Sequence, residues 1–263
     1  MRVDRSGFVV IIMLAALSGG CGAAAPDPRA ATLPAPPSPP PKALAGKVVV
    51  IDPGHNGGNA ANRSEIDRQV DIITQRKACN AVGFETAAGY QENAFAWSVA
   101  QHLKPLLEEM GAEVVLTRPD DKGVGPCVTE RAAIGNDARA DAVVSIHGDS
   151  GEPSGHGFHV VVPGLIPGHN DEVVKPSRRL GLAIRDAYWA GTGLPYANYR
   201  GKDGLRSRTD LGGLNLSKRP AVFIECGNMR NAGDAAKMSD ATFRKRIAGA
   251  LANGIKSFLE GAG

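Results

Sequence analysis

Residues 48–59, VVVIDPGHNGGN, begin as a strand and end as a loop. The β-branched run Val48–Ile51 predicts a buried strand, and Pro53 with three nearby glycines predicts the turn that follows it. Such a turn requires glycine and proline, but it does not require His55. The stretch therefore predicts a buried first strand that delivers a histidine to its carboxyl end.

Beyond this stretch, predicted strands alternate with predicted helices. Apolar residues recur at helical spacing over residues 93–110, and further helices are predicted over 129–139, 177–190 and 241–259. Apolar runs predict strands over 112–117, 142–147, 158–162 and 221–225. This order is typical of an α/β single domain with a mostly parallel central β-sheet of about six strands, flanked by helices on both faces.

Composition restricts the class of function. The chain has 263 residues, 43% of them hydrophobic, and its net charge is only +3. A nucleic-acid-binding protein would usually show a concentrated basic patch, and this sequence does not. We therefore expect no nucleic-acid partner.

The first 44 residues have the composition of targeting and linker segments. Residues 1–25 combine two arginines, a short apolar run and small residues, which predicts a secretory signal peptide. Ordinary cleavage after the alanines at 23–25 competes with lipoprotein cleavage and a lipid anchor at Cys21. Residues 26–44, with eight prolines, predict an extended linker, which leaves residues 45–263 as a single globular domain. We expect a secreted protein of the cell envelope or periplasmic space.

Three cysteines remain after removal of the signal peptide. In an oxidising compartment two of them are expected to pair. Cys79 and Cys127 both lie in loop-like segments, and we predict a disulfide between them. Cys226 lies in an apolar strand and is predicted to be a buried free thiol.

Ionisable residues stand where predicted elements begin or end. His55 and His147 end two strands, Glu225 ends the last strand, and Glu92 opens the first helix. The carboxyl ends of parallel strands meet at one edge of a sheet, so these four side chains are expected to converge. Two histidines, a carboxylate ligand and a second carboxylate form the set of a hydrolytic zinc site with one position open for water.

Four blocks of this sequence resemble one known family. They are VVVIDPGHNGG (48–58), ENAFAWSVAQHLKPLLEEMGAEVVLTR (92–118), ERAAIGNDARADAVVSIHGD (130–149) and RPAVFIECGNMRN (219–231). In this order they resemble the secreted bacterial zinc-dependent N-acetylmuramoyl-L-alanine amidases of the amidase-3 type. The resemblance runs from about Lys47 to the C-terminus.

The resemblance implies roles for individual residues. It implies His55, Glu92 and His147 as ligands of one Zn²⁺ per chain, and Glu225 as the catalytic carboxylate. It also implies hydrolysis of the amide between the lactyl group of N-acetylmuramic acid and L-alanine in peptidoglycan or a muropeptide. Glu225 would then be the general base toward a zinc-activated water.

Other residues compete for these roles. Between His55 and Glu92 lie 36 residues, more than many relatives carry, and this insertion contains Glu85 as a rival ligand. Glu92 is preferred because it begins a helix, as the family's ligand does. His156 and His159 are alternative ligands spaced three apart, but a surface turn and a strand edge are the preferred explanations for them.

Two groups of basic residues have weaker claims to a role at the site. Arg200, Lys202, Arg206 and Arg208 lie in a glycine-rich segment, residues 199–215, which is either a solvated loop or a substrate-binding loop that meets stem-peptide carboxylates. Arg118 and Arg131 match the family's blocks and are predicted to be structural ion-pair partners.

Two alternatives to the amidase function follow from the same residues. One is a catalytically inactive wall-binding module with this fold, which the presence of all four key residues disfavours. The other is a zinc peptidase or deacetylase acting on other amides. We expect a monomer without wall-binding repeats, so targeting falls to the catalytic domain, the linker or a partner such as a protein activator.

Overall fold

A computed structural model describes residues 42–261 of the chain. The predicted signal peptide, Cys21 and most of the predicted linker lie outside the described residues. Leu44, at the end of the predicted linker, is buried in the core, and its N–H donates to the carbonyl oxygen of Met110 at 2.8 Å. Within the described residues, no helix combines the length and apolar character needed to cross a membrane.

The described chain contains eight strands and seven α-helices. The strands are β1 (Val48–Pro53), β2 (Gln69–Asp71), β3 (Arg76–Ala78), β4 (Glu113–Leu116), β5 (Ala142–Asp149), β6 (His159–Pro163), β7 (Leu205–Arg208) and β8 (Ala221–Asn228). The helices are α1 (Arg63–Ile66), α2 (Glu92–Glu109), α3 (Val128–Asp137), α4 (Asp171–Thr192), α5 (Gly212–Asn215), α6 (Ala232–Ser239) and α7 (Ala241–Glu260).

Six strands form the central sheet in the order β4-β1-β5-β8-β6-β7. Strands β4, β1, β5 and β8 are parallel, β6 is antiparallel to β8, and β7 is parallel to β6. The prediction of a mostly parallel sheet of about six strands is confirmed. Strand β7 was not predicted because its sequence, LRSR, lacks an apolar run; it lies inside the segment read as a loop.

Helices cover both faces of this sheet, as predicted. Helices α2, α4 and α7 pack together on one face, over a core that includes Val144 and Ile224. Helices α3 and α5 lie on the other face, where a smaller cluster contains Val161 and Leu214. Because side chains alternate along a strand, His147 and Glu225 project to this second face, which we call the site face.

The insertion between β1 and α2 has its own small structure. It contains a 3₁₀ turn at Asn59–Ala61, helix α1 and the antiparallel hairpin β2–β3. A disulfide joins Cys79, directly after this hairpin, to Cys127, directly before α3. Cys226 is a buried free thiol in the main core, as predicted.

Candidate metal centre

The end of β1 is fixed by a buried ion pair. The Arg131 guanidinium donates to Asp52 Oδ1 at 2.7 Å and to the backbone oxygen of His55 at 2.9 Å. Thr117 and Ser145 donate their hydroxyls to the two Asp52 oxygens, each at 2.6 Å. Burial alone would raise the pKa of Asp52, but Arg131 and the two hydroxyls outweigh it and hold that pKa at about 2. The loop that carries His55 is therefore anchored through its backbone.

A second buried arginine supports the same turn from the opposite side. Arg118 is 1% exposed and donates to the backbone oxygen of Pro53 at 2.9 Å. It also forms an ion pair with Asp121 at 2.8 Å. The prediction that Arg118 and Arg131 are structural ion-pair partners is confirmed.

His55 is held in a conformation that few non-glycine residues adopt. Its φ angle is 57°, in the left-handed region. Its Nδ1 lies 2.9 Å from the backbone oxygen of Ala81, and because a carbonyl oxygen can only accept, Nδ1 carries the ring proton. Nε2 is then left with a free lone pair directed into the site, which is the arrangement typical of a metal-ligating histidine.

Glu92, the first residue of α2, lies between the two histidines. Its Oε1 is 3.0 Å from His55 Nε2 and 2.8 Å from His147 Nδ1, and its Oε2 accepts the Phe84 N–H at 2.9 Å. The side chain is 2% exposed. Burial raises the pKa of a carboxyl, but the neighbouring His55 and His147 rings outweigh it and lower the pKa of Glu92 well below its ordinary value. Glu92 is therefore a carboxylate.

His147 emerges from β5 in a tightly enclosed position. Its ring stacks on Phe223 with centroids 3.8 Å apart and meets the His55 ring edge-on at 4.8 Å. Gly54 packs against the same ring so closely that a Cβ atom at this position would overlap it. Burial lowers the pKa of His147, which favours the neutral imidazole that binds metals.

These three side chains fit a divalent metal. One nitrogen from each histidine and one Glu92 oxygen lie within 4.8 Å of one another. Two imidazoles and one carboxylate are a typical donor set for catalytic zinc, with a fourth position left for water. A cleft of about 310 Å³ opens beside them, and His55, Glu92, His147 and Glu225 are all among its lining residues.

Glu225 is the second carboxylate at this site. It is the register partner of His147 across β5 and β8, so the two side chains stand next to each other on the site face. Among the described residues, nothing donates a hydrogen bond to its buried Oε2. Burial and the nearby carboxylates of Asp149 and Glu92 raise the pKa of Glu225 well above its ordinary value. An unpartnered carboxyl beside a metal centre is suited to proton transfer.

The rival residues fall in different places. Glu85 is exposed, its backbone pairs with Gln91, and it is not part of the donor cluster. His156 is an exposed turn residue whose Nδ1 contacts Asn198 at 3.2 Å. The interpretation of His159 as a strand-edge residue is wrong: it is 1% exposed and lies opposite Glu225 in the antiparallel β6–β8 pair. The alternation along β6 could have revealed this position: Val160 and Val162 face the main core, so His159 faces the opposite side of the sheet, with Glu225.

The four basic residues of the segment 199–215 divide between two faces. Arg206 and Arg208 lie on β7, and Arg200 forms an ion pair with Asp149 at 3.0 Å. Lys202 instead lines a separate depression of about 340 Å³ together with residues of α4. The segment contains β7 and α5, and both Arg208 and Arg200, which precedes β7, are close enough to Glu225 to act on its pKa.

Comparison with known proteins agrees with this geometry. Residues 49–257 match the family model described as N-acetylmuramoyl-L-alanine amidase. An N-acetylmuramoyl-L-alanine amidase of Mycobacterium tuberculosis is 44% identical over 222 residues, covering 83% of this chain and 89% of the relative.

Solved structures show the same relationship. The N-acetylmuramyl-L-alanine amidase of Mycobacterium smegmatis superimposes with a TM-score of 0.78 at 39% identity, covering 84% of this chain and 99% of the other. The apo form of the enzyme from Mycobacterium abscessus gives 0.77 at 41% identity, covering 82% and 100%. The resemblance found in the sequence is thus confirmed, and the chain belongs to the amidase-3 family of N-acetylmuramoyl-L-alanine amidases.

Proposed function

We propose that this protein is a zinc-dependent peptidoglycan amidase that hydrolyses the bond between the lactyl group of N-acetylmuramic acid and L-alanine. One observation carries the proposal: His55, Glu92 and His147 converge into a metal donor set beside the unpartnered carboxyl of Glu225. Membership of the amidase family supports the choice of bond.

Three residues would bind the metal, and others orient them. His55, Glu92 and His147 would hold one zinc ion, which when bound supplies Lewis-acid activation of a water and lowers its pKa to about 7. Ala81 and the Arg131–Asp52 pair orient His55, since they hold its ring nitrogen and its backbone oxygen.

Glu225 moves the proton. As the water oxygen attacks the amide carbon, Glu225 accepts the proton that the water loses. Glu225 keeps that proton until the carbon–nitrogen bond breaks. Glu225 then donates the proton to the departing alanine nitrogen, so the products are the muramic carboxylate and a free peptide amine.

The proposed function is consistent with a location in the cell envelope. A secretory signal over residues 1–25 and a proline-rich linker over 26–44 would place the catalytic domain in the cell envelope, with Cys21 as the site of a lipid anchor if lipoprotein cleavage occurs. We propose that the domain acts as a monomer on peptidoglycan or its fragments, in wall remodelling or turnover.

Product analysis tests the proposal. Purified residues 42–263 are incubated with N-acetylmuramoyl-L-alanyl-D-isoglutamine, with zinc and after zinc removal, beside a Glu225→Ala variant. We expect release of L-alanyl-D-isoglutamine by the zinc-loaded protein only. Release of free alanine or acetate would instead indicate a peptidase or a deacetylase, and tight binding of wall fragments without any product would indicate a wall-binding module.

A further inference from the structure

A second group of polar side chains adjoins Glu225 at the end of β5, on β6, and on β7 and the segment that leads into it. We call this group of side chains, which adjoins the cleft through Glu225 without lining it, the polar pocket and define it by Asp149, His159, Tyr199, Arg200 and Arg206. Seven buried side-chain polar atoms of the described chain lack a hydrogen-bond partner. Five of them lie here, on Glu225 and on every member of the pocket except Arg206, and two of these five, Asp149 Oδ2 and Arg200 Nε, form an ion pair with each other at 3.0 Å, which leaves three without a hydrogen-bond or ion-pair partner. Buried polar atoms without partners are rare, so such a concentration indicates a place for a polar ligand.

The unused groups of the pocket are mostly hydrogen-bond donors. The Tyr199 hydroxyl carries a hydrogen and His159 Nδ1 can carry one, whereas Arg200 Nε already lies 3.0 Å from Asp149 Oδ2. His159 is 1% exposed, so its unpartnered nitrogen cannot be satisfied by bulk water. Burial and the neighbouring Asp149 raise the pKa of Tyr199, so its hydroxyl keeps its proton.

The charges around the pocket leave one cation without a partner. Arg200 contacts Asp149 at 3.0 Å, and Arg208 donates two hydrogen bonds to Asp210, both at 2.7 Å. Arg206 has no ion pair within residues 42–261. Burial and the proximity of Arg208 and Arg200 lower the pKa of Arg206, which shows that the three guanidinium groups are crowded together. Such crowding favours an anion.

A second metal ion fits this pocket poorly. Asp149, His159 and Glu225 do bring one donor atom each within 4.8 Å of one another. However, Asp149 is already paired with Arg200, and Arg206 is close enough to lower the pKa of His159. A cation placed here would be repelled by these arginines.

The orientation of the bound substrate follows from the proposed proton transfer from Glu225 to the leaving nitrogen. Glu225 donates to the departing alanine nitrogen, so the peptide side of the scissile amide must lie next to Glu225. Beyond Glu225 the site face continues over β6 and β7, where Arg206 is the register partner of Val161 and shares its face. Strands are about 4.8 Å apart, so β7 lies roughly 10 Å from β8. The second stem residue is about 7 Å from the alanine nitrogen in an extended peptide, within reach of an arginine side chain from β7.

We propose that the polar pocket binds the free α-carboxylate of the second stem residue, a γ-linked D-glutamate, and that Arg206 makes the enzyme prefer this carboxylate over the corresponding carboxamide. This inference rests on the proposed amidase function. A guanidinium recognises a carboxylate with charge-assisted bonds, whereas a carboxamide offers a single neutral acceptor oxygen and an NH₂ group that meets other donors.

A matched pair of substrates tests the preference. N-acetylmuramoyl-L-alanyl-γ-D-glutamyl-L-lysine and its D-isoglutaminyl counterpart differ only in carboxylate against carboxamide. We expect kcat/KM of the zinc-loaded wild type to be at least about tenfold higher for the carboxylate. Arg206→Gln should bring this ratio close to one, and Arg206→Lys should restore part of it. Lys202→Gln, which removes a cation of the same segment on the other face, should keep the wild-type ratio.

A binding measurement separates failure of this inference from failure of the proposed function. The released tripeptides, L-alanyl-γ-D-glutamyl-L-lysine and its amide, are titrated into wild type and Arg206→Gln by calorimetry, which requires no catalysis. If neither substrate is cleaved but the acidic tripeptide binds more tightly in an Arg206-dependent way, only the amidase proposal fails. Equal kcat/KM values for the two substrates together with equal Kd values for the two tripeptides would overturn the carboxylate site. A second equivalent of zinc per chain that is lost in a His159→Ala variant would also overturn it.

Discussion

His147 and Glu225 are register partners in the neighbouring parallel strands β5 and β8. The backbone hydrogen bonds of the sheet therefore fix the distance between a metal ligand and the carboxyl proposed as the base. Loops could not set this distance as firmly, because their backbones have fewer hydrogen-bond partners. The arrangement places residues 78 positions apart in sequence side by side, as the proposed mechanism requires.

The first prediction concerns the reach of the Glu225 side chain. Glu225→Asp withdraws the carboxyl by about one methylene, and the rigid strand cannot compensate. We expect kcat to fall roughly 10²-fold or more, with zinc content unchanged, since removal of general acid–base catalysis typically costs 10²–10⁴-fold. Steady-state kinetics and metal analysis on the same samples check this. Glu85→Asp, an exposed glutamate of the insertion, is the control and should behave as wild type.

The second prediction concerns Gly54. A Cβ atom at this position would overlap the His147 ring, so Gly54→Ala should displace that ring from the donor set. We expect zinc affinity, measured by competition with a chelator, to fall by at least tenfold. Gly213→Ala provides a matched control, since a Cβ there meets nothing within 4 Å. Unchanged zinc affinity in Gly54→Ala would contradict the proposed role of His147.

The third prediction concerns the buried Asp52–Arg131 pair. Asp52→Asn leaves Arg131 buried without a counter-charge, and we expect a loss of about 3–5 kcal/mol in the free energy of unfolding at pH 7. The folded-state pKa of Asp52, about 2, is lowered from 3.8, so the carboxylate stabilises the fold above pH 4 and loses that contribution as pH falls toward 2. Wild type should therefore approach the variant in acid.

Urea unfolding at pH 7 and at several values between pH 4 and pH 2 measures this convergence. Asp186→Asn, at an exposed surface pair with Arg185, should change the free energy of unfolding by no more than about 0.5 kcal/mol. A stability difference between wild type and Asp52→Asn that stays constant down to pH 2 would refute the role given to the Asp52 charge.

The fourth prediction concerns the Cys79–Cys127 disulfide. It closes a loop with a sequence separation of 48 residues, and removal of such a crosslink typically costs about 2–5 kcal/mol. Because Ala81, two residues from Cys79, holds His55 Nδ1, we also expect the Cys79→Ala/Cys127→Ala variant to bind zinc roughly 10–100-fold more weakly. Thermal unfolding and chelator competition report the two effects. Cys226→Ala, which removes the free thiol, should leave zinc affinity intact.

The sequence allowed prediction of elements whose patterns are local. Apolar runs marked β1, β5 and β8, and an ionisable residue at the end of each marked the site. The resemblance to amidases then favoured Glu92 over Glu85, and within residues 42–261 only Glu92 joins the two histidines. These residues were predictable because strand ends in a parallel sheet meet at one edge.

Features that depend on strand order were not predictable in the same way. His159 looked like a surface residue because nothing local shows that β6 inserts between β8 and β7 and brings His159 opposite Glu225. The short polar sequence of β7 resembled a loop for the same reason: pairing with β6, rather than propensity, makes it a strand. The polar pocket could therefore be recognised only from the structure.

The most direct test of the proposed mechanism is one comparison of zinc content and turnover in wild type, His147→Ala and Glu225→Gln, each loaded with zinc and freed of excess metal. We predict one zinc per chain in wild type and in Glu225→Gln, with muropeptide cleavage in wild type alone, and loss of both zinc and activity in His147→Ala. Retention of zinc and activity by His147→Ala, or full activity in Glu225→Gln, would contradict the assignment of ligand and base.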